Sequence, residues 1–415
     1  MRRLSRPLFA LALVACPIVI AAAGCDATTA GCTAVVGPSS SASMNRSAIQ
    51  AALEKATPGA QICLRPGTYK VDNELTLSMD NVTIRGTGAA QDATILDFAG
   101  QTGAHGINVV SVAKFKIANL TVKNSAGDAI KVTQSDDVTF DHVTVTWDRG
   151  RDTQNGAYGL YPVQCTRVLI ANCHVSYAAD AGIYVGQSNT ILVRDSEADG
   201  NVAGIEIENS SDAEVINNYA HDNTAGILVF NLPELMMKTG ARTKVHKNRM
   251  VKNNGENFAA KSGIVSVVPP GTGLLVMASK NSEFHDNDIT DNDSVGVAIV
   301  SFYVTQRKWN DMSYDPVPDT NYVHDNRMSN NGMSATGLAN NIKLAAGYKT
   351  VPDLVWDGIV DPAKKNVNNA ITNCFKDNGA ATFGNLNIDD MGNFHPSMDI
   401  GPVTCSHDPL PPIVL

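Results

Sequence analysis

The chain has 415 residues, more than one ordinary hydrophobic core accommodates, since such cores stop growing near about 250–300 residues. With 41 Asp and Glu against 32 Lys and Arg its formal charge is −9, which excludes nucleic acid and anionic membrane surfaces as natural partners. Aromatic residues are scarce at 6% while Gly numbers 33, a composition suited to turn-dense β structure and to a stacked repeat in which each unit needs only its neighbours.

In chain order, Arg2, Arg3 and Arg6 precede the apolar run "PLFALALVACPIVIAAAGC", which predicts a removable export signal over 1–24. Its "AAAGC" ending marks Cys25 as the candidate lipid-bearing first residue of the mature chain. Loss of the three arginines leaves 29 basic and 41 acidic residues, a net charge of −12. Residues 25–44 are small and polar and predict a tether. A short helix within "NRSAIQAALEKATPGAQICLRPGTYKV" places Ile49 and Leu53 on one face. There they would cap the open end of a solenoid.

The solenoid is announced by a repeat. Gly182-Ile183-Tyr184-Val185, Gly204-Ile205-Glu206-Ile207 and Gly226-Ile227-Leu228-Val229 recur at intervals of 22 residues. Apolar positions alternate with period two, the β signature, and the runs are separated by Asn, Asp and Gly. Three short strands closing one turn, stacked on the next, predict an all-β, right-handed parallel β-helix over 45–332. An irregular C-terminal cap is expected over 333–415.

"KVHKNRMVKNN", "EFHDNDITDND" and "YVHDNRMSNNG" place Asn248, Asn287 and Asn326 at one turn position. A ladder of stacked Asn explains them, and with it the acidic "DNDITDND", without a bound ion. No metal site is expected.

Cysteine use fits the same plan, because an exported chain can form disulfides. Cys32 with Cys63 and Cys374 with Cys405 would each staple one end of the solenoid, although sequence alone leaves the pairing open. Cys165 and Cys173 lie inside a repeat, where buried free thiols are expected. His174 and His221 are expected on turns of different faces, making local bonds, and His105 near the start of the solenoid, away from any site.

If Ile183 and Val185 point inward, Tyr184 points out. The same register puts Lys131, Tyr161, Tyr184, Glu206 and Leu228 in one outward column, with Val163, Gly186, Glu208 and Phe230 in a second. Two coils are oversized. The surplus "WDRGRDTQNG", which begins at Trp147, precedes the Tyr161 strand, and "GENFAAKSGIVSVVPPG" precedes the Leu274 strand at the same corner. A further surplus, "NLPELMMKTGAR", comes after Phe230. Long loops in compact proteins usually serve function, and these would wall a trough. The expected ligand-binding residues are Tyr161, Tyr184, Glu206, Glu208, Leu228, Phe230 and Trp147. The leading expectation is a non-catalytic module that binds a polysaccharide or an envelope partner. The alternative is a carbohydrate-active enzyme, a lyase, epimerase or hydrolase, using Asp180, Glu206, Tyr184 and Lys131.

The strings "YGLYPVQC", "DAGIYVGQS", "VAGIEIENS", "AGILVFNLP" and "VPPGTG", in this order, resemble exported parallel β-helix repeat proteins of bacteria. The resemblance implies a pectin-lyase-like fold at the cell envelope, similar to carbohydrate-binding and sugar-hydrolase β-helices. It also implies a c-type cytochrome as a conceivable partner, since genes of this family tend to stand beside a dihaem cytochrome. It transfers no catalytic residue. The chain has no "CxxCH", so no cofactor of its own is expected, and a monomer is expected.

Overall fold

The computed structural model describes residues 27–361, 373–388 and 392–415; the expected signal peptide and Cys25 lie outside them. The repeat winds into stacked coils, each contributing one strand to an eleven-stranded sheet and two to a twenty-stranded sheet that bends round the coil. All the paired strands are parallel and in register: Tyr184 lies opposite Glu206 and Glu206 opposite Leu228, then Leu228 opposite Leu275 and Leu275 opposite Ala298. The inward set Ile183, Val185, Ile205, Ile207, Ile227 and Val229 is buried. The alternation read from sequence therefore fills the bore of the solenoid, and the Tyr184 column faces outward.

The glycine that opens each unit is there for space. A Cβ on Gly204 would meet the Gly226 carbonyl oxygen at 2.6 Å and Asn223 Nδ2 at 2.9 Å. Gly226 is crowded in the same way by the Gly273 oxygen, and Gly273 by that of Gly296. Only a bare Cα lets successive coils pass at the strand spacing of about 4.8 Å.

Asn ladders run along two corners. Asn248 Nδ2 donates to Asn287 Oδ1 at 3.1 Å and Asn287 Nδ2 to Asn326 Oδ1 at 2.9 Å. A second ladder joins Asn201, Asn223, Asn253, Asn292 and Asn331. In the first ladder the left-handed backbone sits one residue earlier than the Asn itself, at Lys247, Asp286 and Asp325. This frees each ladder amide to point into the dry interior and satisfy main-chain groups there.

The N-terminal helix spans Ala42–Glu54, is capped by the Ser41 hydroxyl, and buries Ile49 and Leu53 over the first coil. The expected tether is instead structured over 27–44: Ala34–Val36 pairs in parallel with Gln61–Leu64, and Cys32 is bonded to Cys63. The C-terminal region also departs from expectation. Leu354–Trp356, Cys374–Lys376 and Phe383–Asn385 extend the sheets, so the solenoid runs past residue 332. Cys374–Cys405 closes this end, while Cys165 and Cys173 are buried free thiols. Burial pushes their pKa values up, to about 11 and about 12. Among the described residues no helix is long and apolar enough to cross a membrane.

Each disulfide spans 31 residues, for which loop-closure entropy suggests roughly 3–4 kcal/mol. Reductant should therefore lower the melting temperature in calorimetry, and the Cys374→Ser/Cys405→Ser double variant should lose the part of that sensitivity that belongs to the C-terminal end.

Candidate functional site

The outward face of the eleven-stranded sheet changes character along its length. Its first coils are polar. Glu74 accepts from the His105 amide at 3.0 Å and from Asn108 Nδ2 at 3.0 Å. Asp128 holds His105 Nδ1 at 3.2 Å and Lys131 Nζ at 3.7 Å, and Lys131 lies 5.2 Å from the centre of the Tyr161 ring. Tyr158, Tyr161 and Tyr184 come next as a mutually packed trio with centroids 4.4–4.9 Å apart. Asp180, Glu206 and Glu208 stand beyond that trio. Past them the face turns apolar at Leu228 and Phe230, which are 0% and 1% exposed.

Long insertions build the walls. The segment 255–271 folds back on itself through Asn257 Nδ2, which donates to the Val265 and Val268 carbonyls. It packs Phe258, Val265 and Val268 against Tyr184, Leu228 and Phe230. Gly263 stands directly over Asp180, so close that a Cβ there would lie 3.6 Å from Asp180 Oδ2. Arg307 ties this segment down by donating to the Gly263 carbonyl at 2.7 Å. From the other surplus loop, Arg151 reaches Gly255 and donates to the Asp222 carbonyl, so the two corner insertions meet, as their shared corner implied.

This wall decides the electrostatics. Tyr184 Oη donates to Glu208 Oε1 at 2.7 Å, yet Glu206 Oε2 is buried without a hydrogen-bond partner. Burial, then the charges of Asp180 and Glu208, hold the Glu206 carboxyl well above the carboxylate range. Burial raises Glu208 to about 7 against the Tyr184 hydrogen bond. Asp180 keeps partial contact with solvent, but burial and the Glu208 charge push it up to about 8. Three carboxyls this close in a low dielectric cannot all ionise cheaply. Burial also raises the three tyrosines above the ordinary phenol value.

These raised values make stability depend on pH. Carboxyls with raised pKa keep protons in the folded chain that the unfolded chain has released above roughly pH 4. Stability is then fullest at the acid side of this window and falls as pH rises through the values near 7 and 8. The melting temperature should drop between about pH 5.5 and pH 8.5, and Asp180→Asn should flatten the slope. An unchanged slope in that variant would contradict the assignment.

The structure thus gathers Asp180, Tyr184, Glu206, Glu208, Tyr161 and Lys131 on one face, with corrections to their setting. Glu206, Glu208 and Tyr184 are 1%, 7% and 4% exposed, under the wall rather than on a solvated floor. Leu228 and Phe230 are likewise covered, by the 255–271 segment and by Phe302 and Tyr314, whereas "LPELMM" leaves Met236 79% exposed. Trp147 does not face a ligand: it is in the interior core, and its Nε1 donates to the Ser125 carbonyl at 2.8 Å. His105, expected away from the site, stands on its first coil. Asp128 and Tyr158 join the site although the sequence does not single them out.

His174 and His221 share one sheet rather than different faces. His174 Nε2 meets Asp199 at 2.6 Å and His221 Nε2 meets Glu197 at 2.9 Å. Among the described residues, His174, Glu197 and Asp199 form the one trio compact enough to ligate a metal, but these hydrogen bonds already account for it.

Comparison with known proteins agrees with the fold. Residues 105–267 match the family model described as a right-handed β-helix region. No curated protein matches the chain significantly. Among solved structures, the A-module of Azotobacter vinelandii mannuronan C-5 epimerase AlgE6 superposes with a TM-score of 0.52 at 20% identity, covering 68% of this chain and 82% of that one. An alginate lyase from Paenibacillus sp. gives a TM-score of 0.43 at 17% identity, covering 71% and 95%. The chain folds as a right-handed parallel β-helix.

Proposed function

We propose that this β-helix chain is a carbohydrate-active enzyme that cleaves a polysaccharide by acid–base chemistry, with Asp180 as the proton donor. The observation that carries the reading is one carboxyl, Asp180, that holds its proton near neutrality while keeping solvent contact beside two half-buried tyrosine rings. Protonation of a leaving glycosidic oxygen needs such a group. The rings of Tyr158 and Tyr161 offer apolar faces for sugar rings, and Asp128, 8% exposed and flanked by His105 and Lys131, is the second carboxyl beside them. Glu206, Glu208 and Tyr184 make no contact with substrate on this reading. They are positioning residues that hold Asp180 protonated.

This reading displaces the non-catalytic module as the preferred one, because a passive binding surface has no use for three crowded, mutually repelling carboxyls, two of them buried. A second reading, proton abstraction beside a uronate carboxylate, is favoured by Lys131 and His105, which both stand against Asp128. It keeps the same proton donor for the leaving oxygen.

Incubation of the lipid-free chain with a panel of neutral and uronate polysaccharides separates the readings. Reducing ends without unsaturation support hydrolysis, and unsaturated ends support elimination. Binding without release of either would sink the enzymatic proposal and restore the binding module. Co-purification with a haem protein and no glycan interaction would favour the cytochrome-partner alternative.

A further inference from the structure

Beyond the carboxyls, the same sheet face carries a separate chamber. A cavity of about 360 Å³ lies over Leu275, Ala298 and Val355. Its other walls come from Val268 of the wall segment, Ile342 of the helix Gly337–Ala345, and Leu386. Ala298 is three coils on from Glu206 in the paired register, or about 14 Å at the spacing of stacked strands. The chamber is thus distinct from the acid–base site. Its size falls in the range of small-ligand pockets, and its walls are almost wholly apolar.

Of the polar residues in that lining, Ser301 and Asp357 stand together. Ser301 is fully buried, and its hydroxyl makes no hydrogen bond of normal geometry, although it is near enough to Asp357 to help hold that carboxyl's charge. Asp357 accepts from the Ser301 amide at 2.6 Å and the Ile359 amide at 3.1 Å. Buried polar groups in native proteins are almost always partnered, and a Ser301 hydroxyl that turns its proton toward Asp357 keeps acceptor lone pairs free for a donor inside the chamber.

We infer that this chamber binds an uncharged amphiphile, an apolar body of small-molecule size bearing one hydroxyl that hydrogen-bonds Ser301. A hydroxyl can both donate and accept, which suits a Ser Oγ beside a carboxylate. An anionic head would meet the Asp357 charge in a dry site and be rejected. Burial raises Asp357 to about 6, so above neutrality that rejection is strongest.

The test is calorimetric titration of the full chain at about pH 8 with 1-decanol and, separately, with decanoate. The alcohol should bind and the carboxylate should bind at least about tenfold more weakly, the buried charge being unpaired. Ser301→Ala should weaken decanol roughly 3- to 10-fold, as expected for one hydrogen bond. Ala298→Phe, which fills the chamber, should abolish binding with glycan turnover unchanged; Ile342→Phe, from the opposite wall, serves if the first variant does not fold. No binding of decanol, equal binding of decanoate, or binding that survives a filled chamber would each overturn the inference.

Discussion

Replacing Asp180 with Asn should lower kcat on whichever glycan is turned over by about 10²- to 10⁴-fold, the usual contribution of a positioned proton donor. Affinity for the uncleaved oligosaccharide should change by less than about tenfold, because Asn keeps the side chain's shape and removes only its transferable proton. Steady-state kinetics with a binding titration on the same variant makes the distinction. Glu208→Gln serves as the contrast. Its charge is the largest electrostatic contribution raising Asp180 after burial, so its removal should shift the alkaline limb of the rate profile to lower pH without abolishing turnover. A variant that abolished activity at every pH would show that Glu208 acts directly and would end its positioning role.

The largest expected effect on stability lies in the ladder. Asn287 Oδ1 accepts the Asn248 amide at 3.0 Å and Asn248 Nδ2 at 3.1 Å, and Asn287 Nδ2 donates to the Val245 carbonyl at 2.9 Å. Asn287→Ala strands these groups inside the coil, where each unpartnered one costs about 1–3 kcal/mol. Allowing for partial relaxation, a loss of about 3–5 kcal/mol is expected, among the largest for a single substitution. Asn330, whose amide meets Asp291 on the surface at 3.1 Å and whose backbone is left-handed, should lose only about 1–2 kcal/mol on replacement by Ala, the cost of its backbone rather than of a ladder. Because a solenoid opens locally, between neighbouring coils, hydrogen exchange is the appropriate measurement. Loss of protection should centre on the coils around residues 245–290, and a uniform loss would argue that the stack unfolds as one unit.

The stacked coils are legible in the sequence because Gly, Ile and Val recur at one spacing and alternate with period two, both consequences of a bore filled from short strands. The outward positions of Tyr184, Glu206 and Glu208 come from the same alternation. Their burial does not, since it depends on 255–271 folding back across the sheet, a non-local contact that no periodicity announces. Trp147 carries a signal against the ligand-facing role expected of it: Val143, Val145 and Trp147 alternate along one strand and its exit, and the first two are buried in the core. His105 has a signal too. "GINVV" at 106–110 is another strand-opening unit, with Ile107 paired to Ile130, and that register puts His105 beside Asp128. The last coils are three-residue strands, too short for a period to be counted.

The pH dependence of kcat/KM on a turned-over glycan tests the central claim most directly, because it reports the free enzyme's essential acid. Activity should fall as pH rises past about 8, where Asp180 gives up its proton, and Glu208→Gln should show no such limb at that pH. A profile that stays flat from roughly pH 6 to 10 would contradict it, since no acid near neutrality would then be at work.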